Sequence, residues 1–138
     1  VMPEYNVPFG RVMPSYISDY YVAGADEKAE MYSNRMLEIY REDIDYTLNV
    51  EPEFSNLMIN ETYDALRGIF SIWQSAQMHS ENTDFQMTAT QALVDAKDEL
   101  KAYLPKMKKA ASKSQKALIG QTIEGFIGQV DMMMSMEL

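Results

Sequence analysis

The chain is expected to be all-α, with about five antiparallel helices in which a repeat-like first hairpin leads into a helical bundle. Three observations point there. Apolar residues recur at i, i+3, i+4 spacing through most of the 138 residues. No sustained period-2 run occurs, and no Asn-Gly or Asp-Gly turn joins apolar runs. The candidate helices are separated by short polar or Gly/Pro-marked breaks, which favour antiparallel neighbours.

Residues 1–13 hold Pro3, Pro8 and Gly10 without a clear period and read as an extended lead-in. Pro14 suits a first helical turn, where its missing N–H costs nothing. Tyr16, Ile17, Tyr20 and Tyr21 follow at helical spacing, and Gly24 is a natural stop. Asp26 can cap a second helix that carries Ala29, Tyr32, Met36, Leu37, Tyr40, Ile44 and Leu48, with Asn49 and Pro52 ending it. A third helix runs from about Phe54 to Gln77. Gly68 inside its stripe costs about 1 kcal/mol against Ala and points to a close helix contact. Met78 to Asn82 reads as a polar loop, and Thr83-Asp84-Phe85-Gln86 fits a capping box for a fourth helix, limited by Pro105. Ser112-Lys113-Ser114-Gln115 is a second capping box. It opens a fifth helix with Leu118, Thr122, Phe126, Val130 and Met133 on one face. The whole is one domain, with the hairpin over 14–48 and three further helices over 54–136.

Composition narrows the chemistry. Without Cys, disulfide frameworks, thiolate zinc sites and thiol catalysis are excluded, and a single His, His79, cannot build a multi-His metal site. The acidic stretch Glu42, Asp43, Asp45, Glu51, Glu53 lacks the glycine of a calcium-binding loop, because the sixth position counted from Asp43 is Leu48. No G-x-S-x-G elbow accompanies His79 and Ser80, and there is no G-x-G-x-x-G or P-loop. Asn60-Glu61-Thr62 matches the glycosylation triplet but falls inside a helical pattern. No catalytic residue, metal or cofactor is therefore expected of this chain alone.

The net charge is −9 at neutral pH, which disfavours nucleic acid and anionic lipid as partners. The charge is uneven. Seven lysines, Lys97, Lys101, Lys106, Lys108, Lys109, Lys113 and Lys116, gather in the last third. They read mainly as a solvated helix end, with a docking patch for an acidic partner as the competing reading. No apolar run approaches the ~20 residues of a membrane helix, so direct membrane insertion is not expected. The opening Val1-Met2-Pro3 has no signal-peptide character, and the chain reads as a segment of a longer protein. Met132, Met133, Met134 and Met136 read as a frayed, sticky end.

Six of the nine tyrosines, Tyr16, Tyr20, Tyr21, Tyr32, Tyr40 and Tyr46, fall in the first helical pair. A tyrosine-rich pair either packs with its hydroxyls at the rim or lines a groove that binds a protein or peptide segment. The candidate binding residues are Tyr16, Tyr20, Tyr21 and Tyr32, with Gly24 and Ala29 as the turn and the close approach. An aromatic, a Gly and then an Ala at these offsets is the middle of a tetratricopeptide-like repeat, but residues 54–107 do not repeat it.

The stretch Met2-Pro3-Glu4-Tyr5-Asn6-Val7-Pro8 through Tyr46 resembles the C-terminal region of a family of large polytopic Gram-negative bacterial membrane proteins, itself a domain of unknown function. Its N-terminal half is similar to protein O-mannosyltransferases. The resemblance covers roughly the first third of the chain. It implies a soluble tail on the periplasmic side of a larger, glycosyltransferase-like membrane protein, acting as an accessory or interaction domain. The family's catalytic acids lie in its membrane half, so none maps onto this chain. The remaining readings are a structural or dimerisation tail, or a piece that completes a transferase site in the full-length enzyme. Oligomeric state is left open.

Overall fold

The computed structural model describes residues 16–49 and 56–136. Among them the only regular structure is helix: α1 (16–22), α2 (Asp26–Asn49), α3 (Asn56–His79), α4 (Thr83–Ala110), α5 (Lys113–Ile119) and α6 (Gly125–Met136). A π-helical turn, Gly120–Glu124, joins α5 and α6 into one run, so the five expected helices are present and the fold is an all-α bundle. The lead-in 1–13, Pro14, Pro52 and Phe54, and with them the Met2–Pro8 phrase, lie outside the described residues.

The centre of the bundle is the antiparallel pair α3 and α4. Helix α2 packs on both from one side, and the α5–α6 run packs on both from the other. Helix α3 buries Ile59, Leu66, Ile69, Ile72, Trp73 and Ala76, the broadest apolar face in the chain. Leu93, Ala96, Leu100 and Met107 of α4 close against it. At roughly 25 cal/mol per Å² of buried apolar surface, each large side chain in this stripe contributes about 1.5–3 kcal/mol.

The α2–α3 crossing is set by Gly68. A Cβ there would overlap the ring of Tyr40, which lies flat on the glycine and is only 2% exposed. The close contact expected from the sequence is therefore present, and its partner is an aromatic ring. About two turns further along, the hydroxyls of Thr47 and Thr62 hydrogen bond across the same interface at 2.5 Å, and Thr62 also donates to the Met58 carbonyl at 2.9 Å. On the other side of α3, Trp73 Nε1 donates to Thr90 Oγ1 of α4 at 3.1 Å.

Four local expectations change. The N-cap of α4 is Asn82, whose side chain accepts from the Phe85 N–H at 3.2 Å. With the cap one residue earlier than Thr83, Gln86 is out of reach of the cap's backbone. It turns back and donates to the Ser80 carbonyl at 2.7 Å, closing the end of α3. Pro105 does not end α4, which continues to Ala110. A mid-helix proline removes one backbone hydrogen bond at a cost of about 3 kcal/mol, and burial of Leu104 and Met107 on either side carries the helix through it. In the last helix the buried face is Ile119, Ile123, Ile127 and Val130; of the expected stripe Val130 is buried, while Leu118, Thr122, Phe126 and Met133 are half-buried beside it. A π turn interrupts the run, the Gly125 N–H bonding to the Gly120 carbonyl. Phe126 remains useful at the edge, standing edge-on to Tyr63 and Phe70 of α3 at 6.0 and 5.4 Å. The Ser112 capping box forms as expected, with its side-chain and backbone bonds to Gln115 at 3.2 and 3.0 Å. Met132 to Met136 are helical rather than frayed, Met133 and Met134 half-buried against the core.

Gly68→Ala should lower stability by about 1–3 kcal/mol despite the better helix propensity of Ala, because a buried ring has nowhere to go. Denaturant unfolding checks this. In a Tyr40→Leu background, which clears the space, the same change should cost clearly less.

Candidate functional site

The region singled out by the sequence is the α1–α2 hairpin. Its turn is a Schellman motif: the Gly24 N–H bonds to the Tyr21 carbonyl at 3.0 Å and the Ala25 N–H to the Tyr20 carbonyl at 2.8 Å. Gly24 adopts φ +79°, the left-handed conformation in which a side chain is strained. Asp26 does not cap α2. It is the first helical residue, and with Glu27 it sits where carboxylates favour the helix dipole. Ala29 is fully buried, as its role at the close approach requires.

The tyrosines divide into three groups. Tyr16 is half exposed, and Tyr20, one turn later on the same face, stacks on Tyr32 of α2 with ring centroids 5.5 Å apart and planes within 14°. The Lys28 ammonium lies 5.3 Å from the centre of the Tyr20 ring. These residues form a small aromatic surface. Tyr21 points the other way. It is 7% exposed and stacks on His79 at the end of α3 at 5.7 Å, so it is a core residue rather than part of the binding surface. Burial, together with the nearby charge of Glu30, pushes its phenol up to about 12. Tyr40 is the ring on Gly68, and burial likewise raises its pKa. Tyr46 is half-buried on α2.

Around this end of the bundle the groups are held to each other. Glu30 accepts from Ser80 Oγ at 3.3 Å and from Asn82 Nδ2 at 3.2 Å, tying α2 to the α3–α4 loop. Ser80 Oγ also accepts from the Asn82 N–H at 3.1 Å. His79 is the last residue of α3, not a loop residue, and its ring is engaged with Tyr21. The arrangement fastens a loop; His79 and Ser80 are not hydrogen bonded to one another in any nucleophile–base geometry.

The lysines are not simply a solvated end. Lys97, Lys101 and Lys108 form a seam from α4 to the last helix. Lys97 and Lys101 share Asp131 at 2.7 and 2.8 Å, and Lys108 pairs with Glu124. The seam holds the Asp131 carboxyl below its ordinary range, through hydrogen bonds from Lys101 and Lys97, and raises Lys97, chiefly through Asp131. Lys106 lies over the Tyr103 ring, and Lys109, Lys113 and Lys116 stand exposed. Of the acidic stretch, Asp43 is buried and Asp45 pairs with Arg41 at 2.9 Å; Glu51 and Glu53 lie outside the described residues. Among the described residues no group of three or more potential metal ligands comes together. Thr62 of the glycosylation triplet is fully buried. No described helix is long and apolar enough to cross a membrane.

One surface feature has no signature in the sequence. Helices α2 and α4 leave a groove of about 480 Å³, floored by Leu37, Ile69 and Ala92 and rimmed by Glu38, Arg41 and Asp95. Its residues come from three helices, and none is unusual for its position in its own helix. A second groove of about 500 Å³ lies along the lysine seam, where its charged rim is already paired. Comparison with protein-family models, with curated proteins and with solved structures gives no match.

The hairpin and the seam can each be tested by stability. Gly24→Ala should cost about 1 kcal/mol from backbone strain alone, since nothing crowds the added methyl, and Ala29→Leu about 1–3 kcal/mol from overpacking. Thermal melts read both. The ion-pair seam sets the pH limits of the last helix. Asp131 has a depressed pKa when folded, so its contribution is present above its ordinary 3.8 and is lost as pH falls through the lower folded value. Tyr21 and Lys97 have raised pKa values, so stability falls as pH rises past the ordinary 10.0 and 10.5. Asp131→Asn should flatten the acid limb of a stability–pH curve and weaken the Lys97 part of the alkaline limb, leaving the part that belongs to Tyr21 in place.

Proposed function

We propose that this chain is a non-catalytic helical interaction domain that holds a protein or peptide segment through the aromatic face of its first hairpin. The observation that carries the reading is the Tyr20–Tyr32 stack, half-exposed beside Tyr16, which is 50% exposed. Rings kept in water while equally large side chains of the same hairpin are buried are surface left available for contact. Tyrosine offers large contact area at low entropic cost. Asp19, Asp26 and Glu27 surround the hairpin, so a segment with apolar and basic residues suits it. The TPR-like spacing of Tyr20, Gly24 and Ala29 supports a role in holding extended segments. The resemblance of the first third of the chain to the tail of polytopic glycosyltransferase-like proteins supports a setting on the periplasmic side of a bacterial membrane, next to the parent's acceptor or a partner subunit. A second reading, a dimerisation tail, is favoured by the exposed Met132 and Met136 on α6.

The test is crosslinking in periplasmic extract with the parent chain, Tyr16→Ala/Tyr20→Ala and Lys109→Glu/Lys113→Glu, after circular dichroism has shown each to be folded. Lys108 is avoided because its substitution would break the pair with Glu124. The aromatic variant should lose its partner and the lysine variant keep it. Loss confined to the lysine variant would refute the choice of surface. Concentration-dependent sedimentation, abolished by Met132→Glu, would favour the dimerisation reading.

A further inference from the structure

We infer that the groove between α2 and α4 is a second docking site, and that its occupant is a basic amphipathic helix of a partner protein. The floor is apolar: Leu37, Ile69 and Ala92 supply it from three helices. The stretch from Asn34 to Arg41, like that from Thr88 to Asp95, spans about 10 Å at 1.5 Å per residue, or two turns of a seated helix. Met31 of α2, three residues before Asn34, is 56% exposed, and an exposed thioether near one end of the valley can adapt to the shape of a ligand.

The occupant's form is dictated by the walls. Both are α-helices whose backbone groups are bonded internally, so an extended strand would find no backbone partners there. A helix satisfies its own and can place i, i+3, i+4 and i+7 side chains in the valley, as a further member of the bundle. Its charge is dictated by the rim. Glu38 of α2 and Asp95 of α4 line it from opposite walls, and Glu38 pairs with Arg35 at 3.2 Å. Arg41 sits between but is taken up by Asp45 and Glu99. Asp95, exposed and accepting from Gln91 Nε2 at 2.7 Å, has no cationic partner among the described residues, whereas the lysine-lined groove beside α6 has its charges paired. A carboxylate left without a cation suits Lys or Arg flanking an apolar stripe.

The inference shares with the proposed function only the premise that the chain works by binding, and it concerns a different face. The probe is a synthetic Leu/Lys peptide of about 14 residues with Leu at i, i+3, i+4 and i+7, against a scrambled peptide of equal composition. Affinity is read by fluorescence anisotropy, peptide helicity by circular dichroism, and location by amide shifts of the labelled chain. The amphipathic peptide should bind at least about tenfold more tightly than the scrambled one, gain helix, and shift Thr88 and Ala92. Thr88→Arg/Asp95→Lys, both at exposed positions, should weaken it at least about tenfold without changing the melting temperature, and Tyr16→Ala/Tyr20→Ala should leave it unchanged. Equal affinity for the scrambled peptide would mean charge attraction alone and would overturn the inference, as would undiminished binding to the groove variant or no binding at all. Loss confined to the tyrosine variant would move the peptide to the hairpin face. That outcome refutes the groove and supports the proposed function, so the two readings fail separately.

Discussion

The arrangement depends on how closely α2 approaches α3, and that distance is set where the Tyr40 ring rests on Gly68. With a side chain at 68 the two helices would be held apart by about the thickness of a methyl group. The Thr47–Thr62 hydrogen bond beside the crossing would then be out of reach, and two buried hydroxyls would lose their common partner. The glycine is unfavourable for the helix by about 1 kcal/mol, and the ring it admits more than offsets that by burial. Because α3 touches every other major helix, its placement against α2 fixes the geometry of the rest.

The two sides of the α3–α4 pair are built on different physics. Toward α2 the contact is broad and largely apolar, with hydroxyls exchanged between paired threonines. Toward the last helix it is a narrow isoleucine stripe bordered by ion pairs and by the edge-on rings of Tyr63, Phe70 and Phe126. Exposed ion pairs contribute little singly, but Lys97, only 12% exposed and shared between Asp98 and Asp131, belongs to a network. The seam thus selects the register of the last helix more than it strengthens it. Glu124, the last residue of the π turn, and Asp131 beyond it are the carboxylates that meet the lysines.

Charge organises the surface as well as the seam. The lysine-rich last third neutralises much of its own charge internally, while Glu38 and Glu42 of α2 and Asp95 of α4 stand exposed. A chain of net charge −9 therefore presents its acidity on the faces where aromatic or apolar residues are also exposed. Both proposed surfaces have this combination, one aromatic and shallow, the other a valley between helices. The aromatic face lies at the N-terminal hairpin, whereas the valley needs α4 as well.

Much of this was legible in the residues themselves. The helical period, the Gly24 stop, the buried Ala29, the close contact at Gly68 and the Ser112 cap are all local or nearly local, and each is a requirement of a single helix. Tyr20 and Tyr32 could be chosen as candidates from spacing, but Tyr21 could not be told from them, because its burial depends on His79 at the far end of α3. The same limit explains the other departures. Pro105 is passed through because Leu104 and Met107 are anchored by other helices, and the last helix buries its isoleucines rather than Leu118, Thr122 and Phe126 because of what α3 and α4 present to it. The lysines look free in one dimension because their carboxylate partners on the last helix lie 16 to 34 residues away. Helix identity is written at spacings of three and four residues; what each face meets is decided only when distant segments are brought together, and the α2–α4 groove exists only at that level.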